Sequence, residues 1–207
     1  MEENSFVRIA NYTLGSFIHG AYNVGFRHTE RLQPLKNQGF VLLPRHQSNL
    51  DIVLEGMLLF ESIKRYGHFI MKESLPSVLK YFGGIAITRL KDLKQKTVEY
   101  IERAKGRRAE VEQSIEKLLY QNEIIVVHPE GTRNYGKPGK AERPVLKRLL
   151  ALQKNLLKPI TFVPLNIQYQ GFYPGSKITA TVGSPFRVPD NGLKELVDKL
   201  HTELGLC

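Results

Sequence analysis

The sequence predicts an α/β fold, on two observations. From Gln38 onward, short apolar runs alternate with longer amphipathic segments, the pattern of strands and helices taken in turn around a sheet. The 207 residues, 42% of them hydrophobic and 24% charged, are enough for one compact domain with a sizeable core and too few for two comfortable ones. No internal repeat and no low-complexity linker divides the chain.

Taken in order, residues 4–28 place Phe6, Ile9, Ala10, Leu14, Phe17, Ile18, Ala21 and Val24 three and four apart, which predicts an amphipathic helix. Residues 1–30 are thus read as an N-terminal helical segment and 31–207 as the main domain. The helical stripe suits docking on the chain's own core. Its aromatic content, with Arg27 and Arg31 beside it, makes a helix lying in a membrane surface the second reading. Strands are expected at Phe40–Leu43, His68–Met71, Ile85–Thr88, Ile124–Val127, Ile160–Ile167 and Ile178–Val182. Helices are expected over 49–64, 74–81, 92–120, 143–154 and 191–204. The segment 92–120 is long and highly charged, and Gly106 in its middle predicts two helices or a bend, projecting from the core as an insertion.

Thirty Lys and Arg against twenty Asp and Glu give a net charge of +10, which favours phosphorylated ligands, an anionic membrane or nucleic acid. The charge is concentrated: residues 131–160 hold eight basic residues and one acidic, and residues 89–108 hold eight basic and three acidic. No defensible nucleic-acid-binding pattern accompanies it, so no nucleic-acid partner is expected. The single cysteine, Cys207, leaves no intrachain disulfide and agrees with a reducing cytoplasm. No apolar run is long enough to span a bilayer, and the acidic start, Met1-Glu2-Glu3, is unlike a secretory signal.

Three segments carry chemistry. The expected strand Phe40–Leu43 runs into Pro44-Arg45-His46-Gln47-Ser48-Asn49-Leu50-Asp51. On one continuous helix, His46 and Asp51 would lie roughly 140° apart. If His46 instead precedes the helix, Asp51 can reach back to one imidazole nitrogen and leave the other free as a base. The same residues also read as a capping box, Ser48-x-x-Asp51. The second segment, Gly83-Gly84-Ile85-Ala86-Ile87-Thr88-Arg89, ends an expected strand on an arginine able to clamp a phosphate. The third, Ile124-Ile125-Val126-Val127-His128-Pro129-Glu130-Gly131-Thr132-Arg133, breaks an apolar strand into a turn bearing an acid, a hydroxyl and a cation. Metal and nucleotide chemistry lack a recognisable site: there is no His-Glu-x-x-His, no cysteine pair and no phosphate loop ending in Lys-Ser or Lys-Thr.

In this order, the motifs resemble those of the glycerolipid acyltransferases that include 1-acylglycerol-3-phosphate acyltransferase. His46 to Asp51 matches the family's His-x-x-x-x-Asp, and Gly83 to Arg89 its Gly-x-x-x-x-x-Arg block. Pro129 to Arg133 matches Phe-Pro-Glu-Gly-Thr-Arg with His128 in the Phe position, and Val163 to Ile167 resembles its apolar Val-Pro block. The resemblance spans roughly residues 38–188. It implies a mixed central sheet flanked by helices and transfer of a fatty acyl group from acyl-CoA or acyl carrier protein to a hydroxyl of a phosphorylated glycerolipid. Phosphatidic acid would be formed from 1-acyl-sn-glycerol 3-phosphate. No cofactor, metal or acyl-enzyme is implied.

By the same resemblance His46 is the general base and Asp51 its orienting acid. Lys72, Arg89, Glu130, Gly131, Thr132 and Arg133 belong to the acceptor-phosphate site, and the protein works peripherally on the cytosolic face of a membrane. Other acceptors, glycerol 3-phosphate or another lysophospholipid, fit the motifs as well. A non-enzymatic basic module on an anionic membrane is the reading from a different class. The long Arg89–Glu130 interval and the Gly139–Pro144 segment depart from the family pattern.

Overall fold

The computed structural model describes residue 13 and residues 15–72, 83–87 and 97–206. Seven strands form one sheet in the order β1-β7-β6-β2-β5-β3-β4. They are β1 (Asn23–Arg27), β2 (Phe40–Pro44), β3 (Gly67–Lys72), β4 (Gly84–Ile87), β5 (Ile124–Val126), β6 (Phe162–Tyr169) and β7 (Lys177–Val182). Neighbours from β6 to β4 run parallel, whereas β7 is antiparallel to β6 and carries β1 parallel to itself. The mixed sheet implied by the resemblance is present. Among the described residues it is flanked by α1 (Asp51–Ile63), α2 (Val98–Tyr120), α3 (Arg143–Gln153) and α4 (Leu193–Leu204), with a 3-10 helix at Thr29–Leu35 and a helical stretch over 15–21.

Strand alternation divides the core. In β2 and β5, Phe40, Leu42, Ile124 and Val126 face a layer built from α1 and the 3-10 helix. Val41, Leu43 and Ile125, with Val127 just beyond β5, face a second layer containing α2, α3 and α4. Both faces are covered, so these central strands read as continuous apolar runs, all five β2 residues being buried.

Two expectations are corrected. The helical stripe over residues 4–28 is interrupted by β1: residues 15–21 are helical and Asn23–Arg27 pairs with β7, while residues 1–12 and 14 lie outside the described part. Val24 and Phe26 pack on the core, and their spacing of two satisfies a strand once β7 offers its edge. Within the segment 92–120, Val98–Tyr120 form one continuous helix, α2, and residues 92–96 lie outside the described part. Gly106 lies within it with open space around it, and a glycine in an exposed helix costs only about 1 kcal/mol against alanine, too little to break the helix alone. Nor does the helix stand off the domain: Ile115 and Leu119 are buried in the second layer. The expected helix over 74–81 lies outside the described residues. β6 runs two residues past the expected end at Ile167, and that extension places Tyr169.

The continuity of α2 is testable. Gly106→Ala should raise stability by roughly 0.5–1 kcal/mol in urea unfolding, because Ala restricts the unfolded backbone and meets no neighbour. A loss of stability would instead indicate a bend there.

Candidate active site

Adjacency of β2 and β5 builds the site. Leu42 pairs with Val126, so His46 and Glu130, each four residues further on, emerge side by side at the carboxyl end of the sheet. That is where ligands sit in open α/β sheets. His46 lies in the loop before α1, and Asp51 is the first residue of that helix. The loop placement removes the angular conflict of a single helix: His46 Nδ1 meets Asp51 Oδ2 at 2.9 Å. Among the described residues the other ring nitrogen, Nε2, carries no hydrogen bond.

Asp51 is fully buried. Its Oδ2 also accepts the backbone N–H groups of Gln47 at 2.7 Å and Ser48 at 2.8 Å, and its Oδ1 accepts the Tyr169 hydroxyl. Burial alone would raise its carboxyl, but the bonds from His46, Ser48, Tyr169 and Gln47 outweigh that and hold it below the ordinary carboxylate value. Burial, and then the negative charge of Asp51, push the Tyr169 hydroxyl upward, so it remains a donor. Half of the capping box forms as well. Asp51 reaches back to the Ser48 N–H, whereas Ser48 Oγ accepts from Leu50 N at 3.2 Å, two residues on. Cap and dyad therefore use one carboxylate.

Glu130 is directed at the protein. One carboxylate oxygen accepts the His46 backbone N–H at 2.8 Å, and the other accepts Gly139 N and Asn134 Nδ2, each at 2.7 Å. The resemblance assigns Glu130 to the acceptor phosphate. Here its carboxylate fastens the loop after β5 to the loop after β2. Gly131 takes the left-handed conformation, φ 63°, and a Cβ there would lie 2.8 Å from Glu142 Cγ. Thr132 and Arg133 are exposed, and the Arg133 guanidinium donates to the Asn49 side chain. Lys72 ends β3 and pairs with Ile87, while Arg89 lies outside the described residues.

Two further residues near His46 escaped a functional reading of the sequence. The His128 ring lies 4.0 Å from that of His46, centroid to centroid, and its Nε2 meets the fully buried Glu55 at 2.9 Å. His46, Asp51 and His128 each offer a ligand atom within 4.8 Å of the others. An ion there would have to compete for a carboxylate whose two oxygens already accept four hydrogen bonds.

A cavity of about 530 Å³ opens beside His46, Thr132 and Arg133. It continues between α2 and α3, where Val111, Ile115, Val145, Leu149 and Leu152 line it. Arg108 and Arg148 also line it, with Glu112 Oε1 3.5 Å from Arg148 Nε. One continuous space thus joins an imidazole, a cation and an apolar wall.

A family model described as Acyltransferase matches residues 23–168. The match takes in β1 to β5 and all of β6 but its last residue, with His46, Asp51, Glu55, His128, Glu130 and Arg133 inside it; Tyr169 lies one position beyond its end. Comparison with curated proteins finds no match.

Folding lowers the Asp51 carboxyl relative to the unfolded chain, whose value is about 3.9. Its stabilisation is therefore fully present above that value and is lost as the pH falls through the folded value. Urea midpoints taken from neutral pH into the acid range should fall more steeply for the wild-type chain than for Asp51→Asn. The variant should start lower at neutral pH by on the order of 2 kcal/mol, because a buried amide cannot accept from every donor converging there.

Proposed function

The chain belongs to the family of 1-acylglycerol-3-phosphate acyltransferases and related glycerolipid acyltransferases, and from that premise we propose that it acylates 1-acyl-sn-glycerol 3-phosphate to phosphatidic acid. The donor is acyl-CoA or acyl carrier protein. The observation that carries this reading is the His46–Asp51 pair at the opening of a cavity that turns apolar between α2 and α3.

The acceptor hydroxyl attacks the thioester carbonyl while His46 Nε2 takes its proton. The C–S bond breaks as the tetrahedral intermediate collapses, and the departing thiolate takes the proton from His46. Asp51 holds Nδ1–H, so Nε2 is the basic nitrogen, and stabilises the imidazolium while it exists. Arg133, with Lys72 and Arg89 contributed by β3 and the segment after β4, receives the acceptor phosphate. Several cations suit a dianion because charge-assisted bonds fix the acceptor with its hydroxyl at the base. Glu130, Gly131 and Thr132 shape the turn that presents Arg133. The acyl chain occupies the apolar part of the cavity.

Ser48 forms no acyl intermediate in this scheme: it is buried and its Oγ accepts a backbone bond. Access to lipid is peripheral, on the cytosolic face of an anionic membrane. Among the described residues no helix is long and apolar enough to cross a bilayer.

Labelled palmitoyl donors tested with 1-acylglycerol 3-phosphate, glycerol 3-phosphate and lysophosphatidylcholine decide the acceptor. The first should be acylated selectively, and His46→Ala should lower the rate by roughly 10²–10⁴-fold. Ser48→Ala should retain substantial activity. No turnover of any acceptor would sink the proposal. A separate comparison of medium- and long-chain donors tests the cavity: Val111→Trp, which fills it from α2, should shift kcat/KM toward the shorter chain, and an unchanged ratio would place the chain elsewhere.

A further inference from the structure

The helix that supplies Asp51 supplies a second carboxylate one turn later. Asp51 and Glu55 are four residues apart on α1, a spacing that stacks side chains on one helix face. Both are fully buried. Asp51 holds His46 Nδ1 at 2.9 Å, Glu55 holds His128 Nε2 at 2.9 Å, and the two imidazoles lie 4.0 Å apart with their planes tilted by 33°. Two carboxylate–imidazole pairs are therefore layered against each other at the carboxyl ends of β2 and β5. The acyl-transfer reading uses only the first pair. The resemblance has Phe where this chain has His128, so a ring in contact with His46 does not require an imidazole.

Charge decides what the second pair does. Glu55 Oε2 is buried with no hydrogen-bond partner among the described residues, and His128 is the partner of Oε1. A buried carboxylate with so little support is costly unless its neighbour is positive. Burial opposes a charge on His128, but Glu55 first, and then Asp51 and Glu130, overcome that and raise its basicity. The groups around the two rings are Asp51 and Glu55 from α1, Glu130 from the loop after β5, and Tyr169 from β6, with Arg133 at the cavity opening.

We propose that Glu55 and His128 are positioning residues for the base: the carboxylate holds a positive imidazolium against the His46 ring, fixing its plane and keeping it unprotonated. Asp51 favours protonated His46 and the adjacent cation disfavours it. The opposition leaves His46 free to accept a proton at lower pH than Asp51 alone would allow. The inference rests on His46 acting as the base in acyl transfer, but the ordering of the two histidines can be measured without turnover.

The test is the pH dependence of kcat/KM in the wild-type chain, Glu55→Gln and His128→Phe, beside an NMR titration of the imidazoles in the wild type. Gln keeps the shape and removes the charge that holds His128 positive, and Phe keeps a ring without a charge. Both variants should move the acid limb upward by roughly one unit, which is about a tenfold loss of rate below that limb. Activity at the alkaline plateau should change far less. In the titration His128 should hold its proton to higher pH than His46.

An unmoved limb in either folded variant, or His46 titrating above His128, overturns the proposal. Should a variant fail to fold, the wild-type titration still decides it. Should no acceptor turn over, the acyl-transfer reading fails by itself while the order of the two titrations remains measurable.

Discussion

Four hydrogen bonds converge on the buried carboxylate of Asp51, and the arrangement around it follows from satisfying that charge. A carboxylate at zero exposure is tolerable only when its lone pairs are filled. The donors come from three sources: the imidazole of His46, the backbone of Gln47 and Ser48, and the hydroxyl of Tyr169 on β6. The helix N-terminus adds its own positive end. Each donor is constrained by accepting this role. The His46 ring turns Nδ1 inward, the loop after β2 curls so that two successive N–H groups point at one oxygen, and β6 runs on to Tyr169. The His46 imidazole is therefore oriented by the same interaction that starts α1.

Glu130 performs a related task between strands. Its oxygens take N–H groups from the loop after β2 and from Gly139, together with the Asn134 amide. Pairing of β2 with β5 aligns the two loops, and the Glu130 carboxylate then locks them together beyond the last strand hydrogen bond. Backbone donors beyond the end of a sheet would otherwise need water or ligand. An acid in this turn can thus be structural without weakening the site, because what it holds is the backbone of His46.

How much of this the sequence announced depended on distance along the chain. The dyad was legible because five residues and a strand-to-helix turn contain all its geometry. The central strands were legible because burial on both faces leaves only apolar residues. β1 was not, since Val24 continues the helical stripe of the residues before it, and the alternation of Val24 with Phe26 counts as a strand only once the edge of β7 is there to pair with it. Tyr169 lies 118 residues from Asp51, and no local pattern marks it. Glu55 resembles any polar residue in a helix until its burial is known. His128 was visible as a departure from the family motif, but its meaning required the ring beside it. Lys72 and Arg89 were legible as motif residues, and the described structure adds only the backbone position of Lys72.

The long helix α2 shows why charge content alone misjudges an insertion. Its sequence is mostly polar, yet Val111, Ile115, Leu118 and Leu119 fall at helical spacing and pack into the layer shared with α3. A few apolar residues per turn suffice to seat a helix, while the rest of its surface stays charged. Since α2 and α3 are parts of one core layer and of one cavity wall, the side chains that stabilise the helix pair also bound the space beside His46. A change at Ile115 or Leu149 would alter both together. Whatever apolar group enters there meets residues whose volume is set by folding, so the insertion can influence ligand length only within what the α2–α3 packing tolerates.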